Sequence, residues 1–247
     1  VKRERLDRLL VERGLASSRE RARRLVMAGV VRVDERVVDK PGTPVATGAG
    51  LRVDSPEAPF VSRGGVKLNA ALDALAVPVA GAVVLDVGAS TGGFTDCVLQ
   101  RGARHVIAVD VGYGQMAWSL RCDSRVTVLE RTNIRHLAAA ALPEVPSLAV
   151  IDTSFISLRL VLPKVTELIA MGGYVVALVK PQFEVGRGRV GKGGVVRDPV
   201  LQDAAVQAVR SYALEVGLEC VGRCESPILG PRGNREFFLA LRKAPSR

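Results

Sequence analysis

Residues 83–99 constrain the fold more than any other stretch of the chain. Val83-Val84-Leu85 reads as a buried strand. It runs into Asp86-Val87-Gly88-Ala89-Ser90-Thr91-Gly92-Gly93-Phe94-Thr95 and then an apolar helix through Leu99. A strand, a glycine-rich turn and a helix in direct succession form a ligand cradle at the carboxyl end of a strand. The glycines let backbone approach the ligand, and the helix start offers free N–H groups. Gly88, Gly92 and Gly93 miss the G-x-G-x-x-G spacing of a dinucleotide site, and no G-x-x-x-x-G-K-[ST] phosphate loop is present. The turn opens instead on an acid, Asp86, which repels a pyrophosphate and suits a cationic ligand. A second apolar strand, Val106 to Val109, ends in Asp110, an acid placed to hold both hydroxyls of a ribose.

The strands that follow keep the alternation. Val126 to Leu129 precedes Arg131-Thr132-Asn133, Leu148 to Ile151 ends in Asp152, and Tyr174 to Val179 ends in Lys180, with a helical stretch from Leu160 to Met171 between the last two. Leu218 to Cys224 and Glu236 to Leu241 read as a closing strand pair. This pattern predicts an α/β fold, a doubly wound sheet with helices on both faces, and places Asp86, Asp110, Asp152 and Lys180 at its carboxyl edge. An acid-led glycine turn followed by a ribose acid resembles the S-adenosylmethionine site of Rossmann-like methyltransferases. The resemblance implies donor contacts from Asp86, Gly88, Ser90, Thr91, Gly92, Gly93, Phe94, Asp110, Val111 and Asn133. Trp118 is expected in the core or beside the adenine.

Residues 1–54 read as a separate small α+β domain. Leu6, Leu9 and Leu10 fall at helical spacing before Gly14. Ser17-Ser18 then caps a second helix carrying Arg19, Arg21, Arg23 and Arg24, with Ala22, Leu25 and Val26 as its apolar side. Short strands follow at Val30 to Val33, Arg36 to Val38 and Leu51 to Val53, with a loop from Pro41 to Gly50. The chain carries 35 basic against 25 acidic residues, a net charge of +10, and arginine outnumbers lysine 28 to 7. Arginine suits phosphate because its fork donates two hydrogen bonds at once, so a polyanionic partner is expected. The run from Arg5-Leu6-Asp7-Arg8 through Ala28-Gly29-Val30-Val31-Arg32-Val33-Asp34 resembles the RNA-binding module of ribosomal protein S-four. That implies structured RNA as the partner and Arg5, Arg8, Arg19, Arg21, Arg23 and Arg24 as contacts. Residues 55–60, with Pro56 and Pro59, read as a linker, and 61–247 as the second domain.

Taken together, the motifs are similar to those of the hemolysin A (TlyA-type) family of rRNA 2′-O-ribose methyltransferases, whose catalytic domain is FtsJ-like. They are Val61-Ser62-Arg63-Gly64-Gly65-Val66-Lys67-Leu68, the Asp86 to Thr95 turn, Asp110-Val111-Gly112-Tyr113-Gly114-Gln115, Ile151-Asp152-Thr153-Ser154-Phe155-Ile156-Ser157-Leu158, Val179-Lys180-Pro181-Gln182-Phe183-Glu184, Gly193 to Asp198 and Gly230 to Phe237. The family resemblance implies a Lys-Asp-Lys-Glu tetrad at Lys67, Asp152, Lys180 and Glu236, with S-adenosylmethionine as donor and ribosomal RNA or ribosomal subunits as partner. Lys180 would take the proton of a ribose 2′-hydroxyl, with Asp152 and Glu236 orienting the two lysines. The stretch from Lys180 to Arg197 is poor in apolar residues and holds Arg187, Arg189 and Lys192, so it reads as a cationic loop able to close over RNA.

Other function classes fit less well. The most apolar span, Leu160 to Val179, is cut by Pro163, Lys164, Glu167 and Gly172-Gly173 and falls short of the ~18 uninterrupted residues of a membrane helix. No secretory signal follows Val-Lys-Arg-Glu-Arg, so a cytoplasmic protein is expected. Cys97, Cys122, Cys220 and Cys224 are scattered and lack zinc spacing, so no metal is expected. Only His105 and His136 are present, neither beside a plausible nucleophile. A non-catalytic RNA-binding or ribosome-assembly protein and a membrane-lytic protein stay open as rivals at this level.

Overall fold

The computed structural model describes residues 2–16, 18–27, 29–54 and 59–244, with the backbone alone at Arg187 and Lys192. The chain divides into two compact units, Val1–Pro59 and Phe60–Arg247.

In the first unit, β1 (Arg3–Arg5) leads into α1 (Leu6–Glu12), and α2 (Arg19–Met27) follows. Spacings of three and four place Leu6, Leu9 and Leu10 on one helix face and Ala22, Leu25 and Val26 on the other, and all six are buried together. The Ser18 hydroxyl accepts the Arg21 N–H at 3.1 Å and caps α2. Ser17, the other expected cap, lies outside the described residues, as do 55–58 of the expected linker. β2 (Val31–Val33) pairs with β3 (Arg36–Val37), and beyond β4 (Pro44–Ala46) the chain returns as β5 (Leu51–Val53) to make the order β3-β2-β5. β4 itself pairs antiparallel with β1, Glu4 opposite Val45, where a plain loop was expected. A three-residue strand opening on proline is too short to show a period of two, which is why pattern reading passes over it.

The second unit is a seven-stranded sheet covered on both faces. α3 (Arg63–Leu75) precedes β6 (Val83–Val87), α4 (Gly93–Gln100), β7 (His105–Val109), α5 (Trp118–Arg121), β8 (Val126–Leu129) and β9 (Leu148–Ile151). Then come α6 (Leu162–Leu168), β10 (Tyr174–Val179), α7 (Pro181–Glu184), α8 (Pro199–Glu215), β11 (Leu218–Glu225) and β12 (Phe237–Lys243). The order is β11-β12-β10-β9-β6-β7-β8, with β12 antiparallel to both neighbours and β6 to β10 parallel. Alternation along β6 sends Val83, Leu85 and Val87 to the face covered by α6 and α8, and Val84 to the face covered by α3, α4 and α5. The helix expected over Leu160 to Met171 is shorter, a 3-10 turn at Leu158–Leu160 and then α6. Trp118, expected to be packed, is 71% exposed at the first position of a single-turn helix. No described helix is long and apolar enough to cross a membrane.

This order fixes where a ligand can sit. From β6 the chain steps outward to β7 and β8, then crosses back to β9 on the other side of β6. The loops after β6 and β9 therefore diverge, and a crevice opens between them at the carboxyl edge.

Candidate active site

At that crevice lies a cavity of about 790 Å³, within the range of small-molecule sites. Its walls are the start of α3 (Ser62, Arg63, Gly64), the glycine turn after β6 and the loops after β9 and β10. Gly88 takes φ +85°, and a Cβ there would lie 2.7 Å from the Asp152 carbonyl oxygen, so the turn and the β9 loop approach backbone to backbone. Gly93, the first residue of α4, makes the second close approach. A Cβ on it would meet the Ser62 hydroxyl at 2.1 Å and the Gly65 nitrogen at 3.0 Å. The starts of α3 and α4 thus pack closely, with the Ser62 hydroxyl against the Gly93 backbone. Ser62 caps α3 through the Gly64 N–H, and Lys67, further along α3, reaches the cavity wall. Gly88→Val should break the first approach. Calorimetry with S-adenosylmethionine should then show at least tenfold weaker binding by a variant that remains folded; unchanged affinity would separate the turn from donor binding.

Four charged residues from distant stretches meet on this wall. Lys67 Nζ donates to Glu236 Oε2 at 2.6 Å, a pair in which Glu236 is 1% exposed and Lys67 is buried. Lys180 Nζ lies 2.6 Å from Asp152 Oδ1 and donates to Ser154 Oγ at 2.9 Å. Asp152 follows the last residue of β9, Lys180 follows the last residue of β10, and Glu236 precedes the first residue of β12, which pairs with β10. The sheet register therefore sets their spacing.

The other candidate positions separate into two groups. Gly88, Ser90, Thr91, Gly93 and Phe94 line the cavity, whereas Asp86, Gly92, Asp110, Val111 and Asn133 are not on its wall. Asp86 departs furthest from expectation. The strand runs to Val87 rather than stopping at Leu85, so Asp86 lies within it and faces α4, where Thr95 Oγ1 donates to it at 2.6 Å. Burial pushes its carboxyl up to about 7 against the opposing Thr95 hydrogen bond, and Asp152 adds to the rise. Asp110 does stand at a strand end. Its two oxygens accept the Ser90 N–H at 2.7 Å and the Gly112 N–H at 2.6 Å, which ties the glycine turn to the loop after β7. Val111 is 71% exposed, and Asn133 caps a 3-10 turn by accepting the Arg135 N–H.

Ser154, Phe155, Gln182 and Asn234 also line the cavity and were not singled out by residue type. Glu184 is buried, its carboxyl raised by burial. It accepts Ser157 Oγ at 2.6 Å and the Leu158 N–H at 2.8 Å. The cationic segment after it contributes Val190 and Gly194 to the cavity, and Asn234 fastens its far end through the Val196 N–H and the Gly194 carbonyl. Arg189 is exposed in this segment, while the side chains of Arg187 and Lys192 lie outside the described residues.

In the first unit the candidate arginines differ in standing. Asp7 is fully buried and accepts Arg5 Nε and Nη2 at 3.0 and 2.9 Å and Arg19 Nε at 3.3 Å. The Arg5 hydrogen bond holds the Asp7 carboxyl below the usual carboxylate range. Arg8 lies 3.5 Å from Glu4, four residues earlier in β1, Arg23 is exposed, and Arg21 and Arg24 are half-buried. Arg13, absent from the expected set, bonds the carbonyls of Ala49 and Thr47 at 2.6 and 2.5 Å and ties α1 to the turn before β5.

A mostly parallel seven-stranded sheet with a glycine turn at its switch point defines the class: this is the Rossmann-like methyltransferase fold. The FtsJ-like methyltransferase family model matches residues 60–243 and the S4 domain model matches residues 4–51. The chain belongs to the TlyA, or hemolysin A, family of FtsJ-like methyltransferases with an N-terminal S4 domain. The 16S/23S rRNA (cytidine-2′-O)-methyltransferase TlyA of Mycobacterium tuberculosis is 53% identical over 249 residues, which cover 100% of this chain and 92% of that protein. The "Putative rRNA methyltransferase YqxC" of Bacillus subtilis is 50% identical over 97% of this chain and 86% of its own length. The solved structure described as "Putative hemolysin from Streptococcus thermophilus" matches with a TM-score of 0.78 at 43% identity, covering 99% of this chain and 90% of that one.

Proposed function

We propose that the protein is a cytoplasmic rRNA 2′-O-ribose methyltransferase acting on 16S rRNA, 23S rRNA or both, with S-adenosylmethionine as donor. The observation that carries this reading is the pair of lysine–carboxylate contacts on one wall of a cavity that also borders the glycine turn. The residues present fit the donor. The cavity has the volume, Gly88 leaves backbone bare where a Cβ would collide, and Asp110 holds the turn and the β7 loop in place.

S-adenosylmethionine, when bound, supplies a methyl group on a sulfonium whose leaving group is a neutral thioether. The rest falls to the chain. A ribose 2′-hydroxyl is a weak nucleophile at neutral pH, and Lys180 is the group placed to take its proton. Asp152 orients Lys180, and Glu236 does the same for Lys67. Lys67, paired with Glu236 on the same wall, favours the developing negative charge on the ribose oxygen. Holding that oxygen in line with the methyl group supplies further acceleration, because displacement then needs no search for geometry. The S4 domain contributes affinity through arginine contacts to phosphate.

The direct test is methyl transfer from labelled donor to 16S and 23S rRNA and to intact subunits, followed by mapping of ribose methylation. Label absent from every ribose would end the proposal. A companion prediction concerns modularity. The unit from Phe60 onward has its own two-faced core, so it should fold and bind donor without residues 1–59. Its rRNA affinity should fall by about 10²-fold or more at 0.15 M salt, with a shallower dependence of log K on log salt, since fewer counterions are released. Filter binding across a salt series reads both quantities. Undiminished affinity in the fragment would remove the S4 unit from RNA recognition.

A further inference from the structure

Lys180 Nζ sits in an ion pair 2.6 Å from Asp152 Oδ1 and donates its one side-chain hydrogen bond among the described residues to Ser154 Oγ at 2.9 Å. Both come from the loop after β9. Since β9 and β10 are parallel neighbours with Ile151 opposite Ala177, that loop emerges beside the strand end that carries Lys180. Its path is fixed on both sides of Ser154. Phe155 takes φ +64°, a left-handed conformation costly for a bulky side chain, and turns the chain directly after Ser154. Further on, Ser157 and Leu158 both donate to the buried Glu184 of α7, the helix that starts straight after Lys180. The β9 loop and the Lys180 segment are thus clamped at two points, one at Lys180 and one at Glu184.

We propose that Ser154 is a positioning residue for methyl transfer: with Asp152 it fixes the rotation of the Lys180 amino group, so that the lone pair of the neutral amine has one direction left, into the cavity. The inference rests on the methyltransferase reading above. A neutral lysine amine carries two N–H bonds and one lone pair. With a single acceptor it still spins about its Cε–Nζ bond, and the lone pair sweeps a cone. Here the Asp152 carboxylate holds the amino group in place and the Ser154 hydroxyl engages one N–H, so rotation is restricted and the lone pair is aimed. All three residues border the cavity. In the step itself, the 2′-oxygen forms its bond to the methyl carbon as the carbon–sulfur bond breaks and sulfur keeps the bonding pair. The hydroxyl proton passes to the aimed lone pair, so one positive charge leaves sulfur and one appears on Lys180. A second carboxylate in place of Ser154 would favour the ammonium form, whereas a hydroxyl orients the amine without adding charge. Lys67 provides the contrast. Among the described residues its amine has Glu236 as its one hydrogen-bond partner, with no hydroxyl to direct a second N–H.

Ser154 is exposed at the rim, so Ser154→Ala should fold. Single-turnover methylation of rRNA by the alanine variant should be slower by about 10- to 100-fold, the scale of losing orientation at a reacting group. Donor binding by calorimetry and rRNA binding should not change. Ser154→Thr, which keeps the hydroxyl, should recover most of the rate. In a Lys180→Ala background, Ser154→Ala should produce no further loss, because the group it orients is gone. A full-speed alanine variant, an additive loss in the Lys180→Ala background or weakened donor binding would each overturn the assignment. These outcomes are read against wild type. A wild type that methylates no ribose defeats the methyltransferase reading, while an active wild type with an indifferent Ser154→Ala defeats this inference alone.

Discussion

Lys180→Ala should lower single-turnover methyl transfer by about 10²–10⁴-fold, the usual contribution of a positioned base. Of the two lysines on the cavity wall, Lys180 is the one whose amine meets both a carboxylate and a hydroxyl among the described residues, and it lies at the end of a central strand. Truncating it leaves Gly88 and the Asp110 clamp of the glycine turn untouched, so donor affinity should persist. The S4 unit is likewise untouched, so rRNA affinity should persist. Lys180→Arg should not restore turnover, since a guanidinium keeps its proton and presents a planar fork in place of a tetrahedral amine. Rapid-quench methylation with parallel binding assays makes the distinction. Near-normal turnover in the alanine variant would take Lys180 out of the chemistry and reopen the reading of this domain as a non-catalytic scaffold.

The second large effect concerns stability. Lys67 and Glu236 form a buried pair, and removing one partner strands the other charge away from water. Lys67→Met should therefore cost ~3–5 kcal/mol of unfolding free energy, read from urea unfolding at neutral pH. The double variant Lys67→Met with Glu236→Leu should regain most of that loss, because apolar side chains of similar volume replace a buried ion pair at little cost. It should nevertheless be inactive. Recovery of stability without recovery of methyl transfer would show that the pair is kept for chemistry. A single variant as stable as wild type would mean that water reaches Glu236 more freely than its burial indicates.

Much of the second unit was legible because strand ends announce themselves. In β7, β9 and β10 an apolar run buried on both faces stops at a charged residue, and Asp110, Asp152 and Lys180 do stand at the sheet edge. Asp86 misled for the same reason. A charge inside a strand looks like its end, and only the helix across from it, with Thr95 to bond, shows that the strand continues. Lys67 and Glu236 were reached through family resemblance, because no local pattern connects residues 169 apart. Ser154 carried no signal of its own, since a serine in a loop has many reasons to be there. In the first unit the periodicity located both helices, yet the sequence points to Arg5 and Arg19 as RNA contacts without showing that both are held by one buried acid. Asp7 sits between leucines in a helix, and nothing in its immediate neighbours foretells full burial beneath two guanidinium groups.

The placement of β12 carries a consequence for how the protein is made. Of the strands in the sheet it comes last in sequence, yet it lies inside, between β10 and β11. The preceding residue, Glu236, is the partner of Lys67 from the first helix of the unit. Until this strand inserts, β10 and β11 face each other across an open slot, and Lys67 has no counter-charge. Such long-range pairing is slow, and the gap is an exposed hydrogen-bonding edge while it lasts. During synthesis the enzyme should thus pass from inert to competent in one late event, the docking of Phe237–Lys243. A nascent chain stalled before that strand emerges should already bind RNA through its first unit while being unable to mark it.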